Sequence, residues 1–159
     1  MMYNFQESRN GNQWKYDCQH GPDECVGNII EVCAMDILKD VDKYLPFLSC
    51  IETSAEPPAK SAPMCASQYQ IDYSAIWRCA NGSKGNDLEH KMALLTGALQ
   101  PPHQYVPWIT INGVHTNDLQ KRAQADLQGL ICELYKGKKP AACSTVNEKH
   151  EEICRKNFF

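Results

Sequence analysis

The sequence contains no C-x-x-C pair, no surplus of positive charge, no long apolar run and no leader-like opening. Its closest cysteines, Cys18 and Cys25, are seven positions apart, so the two-residue gaps typical of zinc ribbons do not occur. Sixteen Lys and Arg stand against nineteen Asp and Glu, a formal charge of -3. That balance supplies no broad cationic surface and removes nucleic acid as a leading partner. The longest mainly apolar stretch, around Tyr105 to Ile111, contains Pro107 and is far shorter than the roughly 18 residues that span a bilayer, so no membrane span is expected. The chain opens Met1-Met2-Tyr3-Asn4-Phe5-Gln6-Glu7-Ser8, with no basic region, apolar core or small-residue cleavage site of a signal peptide. No internal repeat or low-complexity tract stands out.

Cysteine is present in excess. Nine occur in 159 residues, at 18, 25, 33, 50, 65, 79, 132, 143 and 154, and their spread spacing favours disulfides over a metal site. Asn81-Gly82-Ser83 is an N-glycosylation sequon in a polar stretch. The two features together favour an oxidising, secretory-pathway history. That history calls for a leader, so the sequence is expected to be a mature or truncated form, or to start upstream of Met1. A chain of 18.0 kDa is read as one domain, long enough to bury roughly 70% of its unfolded surface.

Apolar residues recur at Val26, Ile30, Cys33, Ile37, Val41, Tyr44 and Leu48, the spacing of a helix stripe. Pro22-Asp23-Glu24 suits its first turn, and Pro46 predicts a break near Asp42 into two helices. Ser54 to Pro63, with three prolines, reads as a loop. Further helices are expected around Tyr73 to Ala80 and from Asp87 to Leu99. After Pro101-Pro102 the run Val106-Pro107-Trp108-Ile109-Thr110-Ile111 reads as a strand, Asn112-Gly113 as a hairpin turn and Val114 to Thr116 as the return strand. A last helix is predicted from an Asn117 or Asp118 cap, with Leu119, Ala123, Leu127, Leu130, Ile131 and Leu134 on one face and Gly137 ending it. A two-stranded hairpin needs additional strands, and only the first few residues are left to provide one.

The segment Cys18-Gln19-His20-Gly21-Pro22-Asp23-Glu24-Cys25-Val26-Gly27-Asn28-Ile29-Ile30-Glu31-Val32-Cys33 reads C-Q-H-G-x-x-E-C-x-x-N-x-x-x-x-C. With eight fixed residues over sixteen positions, it resembles the signature of the gamma-interferon-inducible lysosomal thiol reductase family. Leu99 to Trp108 and Cys132 to Pro140 look like further segments of that family, so the resemblance runs from about Tyr3 to Cys154. It implies an α/β, thioredoxin-like fold with a helical insertion, here residues 22–99 of a single domain 1–159, stapled by disulfides among Cys18, Cys25, Cys33, Cys50, Cys65, Cys79, Cys132, Cys143 and Cys154. It also implies a lysosomal or secreted protein that reduces disulfide-containing protein substrates at acidic pH without a cofactor.

In such a reductase a low-pKa thiolate attacks a substrate disulfide, and a second cysteine three positions on resolves the mixed disulfide. The family carries that pair N-terminal to the signature, after the first strand. The chain is therefore expected to be N-terminally incomplete, to lack the first strand and redox helix, and to hold no catalytic residue. The resemblance makes Val106-Pro107 a cis-proline dipeptide facing the substrate. Cys18, His20 and Cys25 lack a fourth ligand, so no metal site is expected. His20 is read as a structural or loop residue, Glu24 as a first-turn acid, Asn28 as a polar helix residue and His103 as a surface histidine. The odd cysteine is the residue available for a disulfide-linked dimer. Two non-catalytic readings stand beside the reductase: a disulfide-stapled, saposin-like lipid binder, and a pseudo-enzyme that holds substrates without reducing them.

Overall fold

The computed structural model describes residues 6–144. The chain divides into two compact units, Met1–Pro102 and His103–Phe159.

The first unit opens with an antiparallel hairpin, β1 (Gln6–Asn10) and β2 (Gln13–Asp17), in register Glu7 opposite Tyr16 and Arg9 opposite Trp14. Gly11, at φ 61, supplies the left-handed turn between them. Five helices follow: α1 (Pro22–Leu38), α2 (Val41–Glu52), α3 (Pro58–Gln68), α4 (Tyr73–Ala80) and α5 (Ser83–Gly97). The described protein is predominantly helical, with β1 and β2 as its only named strands.

The expected break in the first stripe falls earlier than Asp42. Lys39 turns left-handed at φ 59, and the Asp40 carboxylate accepts the Asp42 amide to cap α2. Pro46 lies inside α2. A new N-cap, and not the proline, ends α1, because the cap satisfies orphan donors that a continuing helix would not expose. The proline-rich segment is likewise a helix beyond residue 57: Pro57 is the N-cap of α3 and Pro58 its first residue, positions where a missing amide proton costs nothing. Helix α4 has the expected bounds, capped by Asp72. Helix α5 begins at Ser83, not Asp87.

Helix α1 is the centre of the unit, packing on α2, α3, α4, α5 and β2. Its Ile30, Cys33 and Ala34 are fully buried with Phe47 of α2, Ala62 of α3 and Ile76 of α4. Burying one such Ile or Phe contributes about 1.5–3 kcal/mol. The α4–α5 corner requires Gly85, since a Cβ there would lie 2.5 Å from the Cys79 carbonyl oxygen.

Asn86 of α5 treats β2 as a neighbouring strand would. Its Oδ1 accepts the Trp14 amide and its Nδ2 donates to the Trp14 carbonyl, each at 2.8 Å, while the Tyr16 hydroxyl donates to the Asn86 carbonyl at 2.5 Å. His90 stacks on Trp14 with ring centroids 3.8 Å apart and pairs with Glu7 at 2.8 Å.

In the second unit, α6 (Asn117–Leu134) is capped by the Thr116 hydroxyl and followed by a 3-10 turn, Ala141–Cys143. The helix bends at Asp126, and it ends at Leu134, before the Gly137 expected as its stop. Ala123 and Leu130 are buried, whereas Leu127 and Ile131 of the expected apolar face are about half exposed. The expected strands 106–111 and 114–116 reduce to a single bridge between Ile111 and Val114. Asn112 at φ 51 and Gly113 at φ 77 do form the predicted turn, but among the described residues no third strand extends the pairing of its arms.

Eight cysteines form four bridges, Cys18–Cys25, Cys33–Cys79, Cys50–Cys65 and Cys132–Cys143. The ninth, Cys154, lies outside the described residues.

Two expected outcomes follow from this architecture. The Cys33–Cys79 bridge closes 46 residues and the Cys132–Cys143 bridge only 11. The chain-entropy relation gives losses of about 4 and about 3 kcal/mol on replacing each pair by serine, to be read from denaturant unfolding.

The second concerns acid. Glu89 is 1% exposed with neither carboxylate oxygen hydrogen-bonded, and burial pushes its pKa up to about 7. Glu31 is raised to about 8 by burial and by the Glu52 carboxyl against it. A buried acid with a raised folded pKa binds a proton that the unfolded chain releases. Its stabilising contribution is therefore full below the ordinary carboxylate pKa and is lost as pH rises through the folded value. Unfolding free energy should fall between pH 5 and pH 8 by about 2 kcal/mol through Glu89. Glu89→Gln should flatten that slope in parallel thermal melts.

Candidate functional site

The signature residues gather at the entry to α1. The Gly21 amide donates to the Cys18 carbonyl at 3.0 Å. Gly21 is the N-cap at φ 94, a backbone conformation that a Cβ strains. The Cys18–Cys25 bridge closes the turn. One Glu24 oxygen accepts the His20 amide at 2.7 Å and the other lies 3.3 Å from His20 Nδ1. A first-turn carboxylate reaching back to an amide ahead of the helix is the reciprocal half of a capping box. His20 and Gln19 are exposed and Asn28 is half-buried on α1. Cys33 lies two turns further along α1 and bridges to Cys79 of α4 instead. The motif is thus a helix-entry structure, with its last cysteine committed to the core.

Every cysteine among the described residues is in a disulfide, so no thiol is present there to attack a substrate. Among the same residues no group of three His, Cys, Asp or Glu is placed to hold a metal, and no helix is long and apolar enough to cross a membrane. Asn81 is exposed at the C-cap of α4, its Nδ2 donating to the Trp77 carbonyl at 2.9 Å.

The second unit carries the other predicted group. The Val106–Pro107 peptide bond is cis, as is Gln100–Pro101 in the first unit. Tyr105 and Val106 are 38% and 43% exposed. Behind them Trp108 stacks on His115 with centroids 3.5 Å apart and meets Tyr105 edge-on at 5.0 Å. His115 Nδ1 donates to the Ile109 carbonyl at 2.9 Å. The loop thus has an aromatic back and an exposed edge at Tyr105 and Val106.

Residues 2–69 match the family model described as gamma interferon inducible lysosomal thiol reductase. The chain is 47% identical over 142 residues to the gamma-interferon-inducible lysosomal thiol reductase of Carassius auratus, covering 88% of this chain and 55% of that protein. It belongs to this family. The Mus musculus protein of the same name is 35% identical over 156 residues, 96% of this chain and 60% of its own length. The gamma-interferon-responsive lysosomal thiol protein of Arabidopsis thaliana is 35% identical over 130 residues, 80% of this chain and 53% of that protein. The chain therefore spans between half and three-fifths of these relatives.

Asn86, His115 and Gln120 were not legible as structural anchors. Gln120 sits in a run of polar residues, Asn117-Asp118-Leu119-Gln120-Lys121-Arg122, that reads as a solvated face. For the signature, Glu24→Ala is expected to cost about 1 kcal/mol by releasing the His20 amide at the helix start. Thermal unfolding of the single variant measures it, with Glu24→Gln recovering part of the loss.

Proposed function

We propose that the protein acts in thiol–disulfide exchange on protein substrates at acidic pH, on a thioredoxin-like framework in which residues 22–99 form the helical insertion of a single domain. In this reading Val106-Pro107 is the substrate-facing loop, and an extended segment of substrate pairs along its exposed edge. The observation that carries it is the combination of family membership with an exposed, aromatic-backed loop at those two residues. The buried acids Glu31 and Glu89 are consistent with work in an acidic compartment, since their neutral forms suit the fold best there. The lysosomal names of the relatives and the disulfides support a lysosomal or secreted location, and exposed Asn81 is the proposed N-glycan acceptor.

A second reading is favoured by one specific observation. All eight described cysteines are oxidised, so residues 6–144 are suited to hold a substrate but have no dithiol with which to reduce it. The natively isolated protein should be mixed at pH 5 with a denatured, disulfide-bonded protein and excess small thiol. Reduction faster than thiol alone is the expected result for the reductase. Binding without acceleration supports substrate holding, and absence of both overturns the loop assignment in either reading.

A further inference from the structure

Gln120 is 3% exposed, and α6 aims both ends of its amide at one loop. Its Oε1 accepts the Ile109 amide and its Nε2 donates to the Pro107 carbonyl, both at 2.9 Å. A residue on a parallel strand pairs in the same way, with the carbonyl of one residue and the amide of the second residue after it. Here one side chain does so, and His115 holds the Ile109 carbonyl through Nδ1. Residues 107–109 are therefore tied down by their own backbone polar groups, and Trp108 between them is clasped by His115 and Tyr105. What faces outward is the pair Tyr105 and Val106.

We propose that Gln120 is the positioning residue of this loop: it fixes residues 107–109 so that the Tyr105-Val106 backbone is held ready to pair with an extended, disulfide-bearing polypeptide. The inference rests on the reading of Val106-Pro107 as the substrate-facing loop. Gln120 touches no reacting atom, and its effect is on the geometry in which a flexible substrate is bound. A pre-ordered edge spares the ordering cost that a mobile loop would impose on binding.

The test uses the whole 159-residue chain with two substitutions and two readouts. Gln120→Leu removes both hydrogen bonds at similar volume. Gln120→Glu keeps the acceptor for Ile109 but can donate to the Pro107 carbonyl only when protonated, the form that burial at this position favours at pH 5 by raising the carboxyl above its ordinary pKa. Amide hydrogen exchange should show Ile109 opening about tenfold faster in Gln120→Leu, with the amides of α1 unchanged. Binding of a ten-residue peptide closed by one disulfide should weaken about tenfold in that variant at pH 5.

In Gln120→Glu the affinity relative to the unsubstituted chain should be near one at pH 5 and fall about tenfold by pH 8, a profile that mere loss of packing would not produce. Unchanged Ile109 exchange, or a pH-independent affinity ratio near one, overturns the role of Gln120 and leaves the loop reading standing. Faster Ile109 exchange together with no peptide binding by the unsubstituted chain overturns the loop reading and the substrate role of Gln120 with it.

Discussion

The Cys33–Cys79 bridge is the constraint around which the helical unit is arranged. It joins the middle of α1 to the last turn of α4, and it runs through the core formed by Ile30, Phe47, Ala62 and Ile76. Because it closes a long stretch of chain, it removes more freedom from the unfolded state than a short-range staple, by about 1 kcal/mol in the chain-entropy relation. Cys50–Cys65 then joins α2 to α3, and Cys18–Cys25 holds the entry turn of α1. The small residues Ala62, Ala66 and Gly85 let helices approach closely, so the bridges and the packing define one arrangement together.

Into this apolar core the chain inserts carboxyl groups that form no ion pair with a Lys, Arg or His among the described residues. Glu89 has no hydrogen bond on either oxygen, and Glu31 faces Glu52 of α2 and Glu89 of α5. Tyr16 of β2 is held un-ionised by burial and by the charges of Glu89, Glu7 and Asp87. Ionised, these groups would oppose the packing around them; protonated, they can be tolerated within it. The basic groups nearby are occupied elsewhere: Lys84 pairs with Asp36 at 2.5 Å, and His90 is engaged with Glu7 and Trp14. The raised pKa values of Glu31 and Glu89 thus arise from burial within the helical unit.

The two motifs that the sequence singles out have different physical roles. The motif from Cys18 to Cys33 is a means of starting a helix and tying it down: a glycine where φ is positive, an acid that reaches back over the first turn, and cysteines that lock both ends. The Val106-Pro107 loop is held by side chains where a sheet would use neighbouring strands. Family membership names the chemistry that these relatives perform. Among the described residues the sulfur of every cysteine is already paired.

Local patterns were legible wherever a single segment decided its own conformation. Helix α4, the Pro22-Asp23-Glu24 start of α1 and the Asn112-Gly113 turn all follow from nearest-neighbour chemistry. The proline-rich helix α3 was not legible, because a proline near a helix start and one in a loop look alike until the packing is known. The arms of the 106–116 hairpin were over-read for the opposite reason: strand propensity is realised only where partners pair with it. By itself the sequence determined the family, the helical periodicity and the commitment of its cysteines to disulfides. Only the tertiary structure decided which cysteines pair, which glutamates lose their water and that one glutamine in a polar run becomes a buried backbone clamp. Those outcomes depend on groups distant along the chain meeting in one place, and no local pattern encodes that meeting.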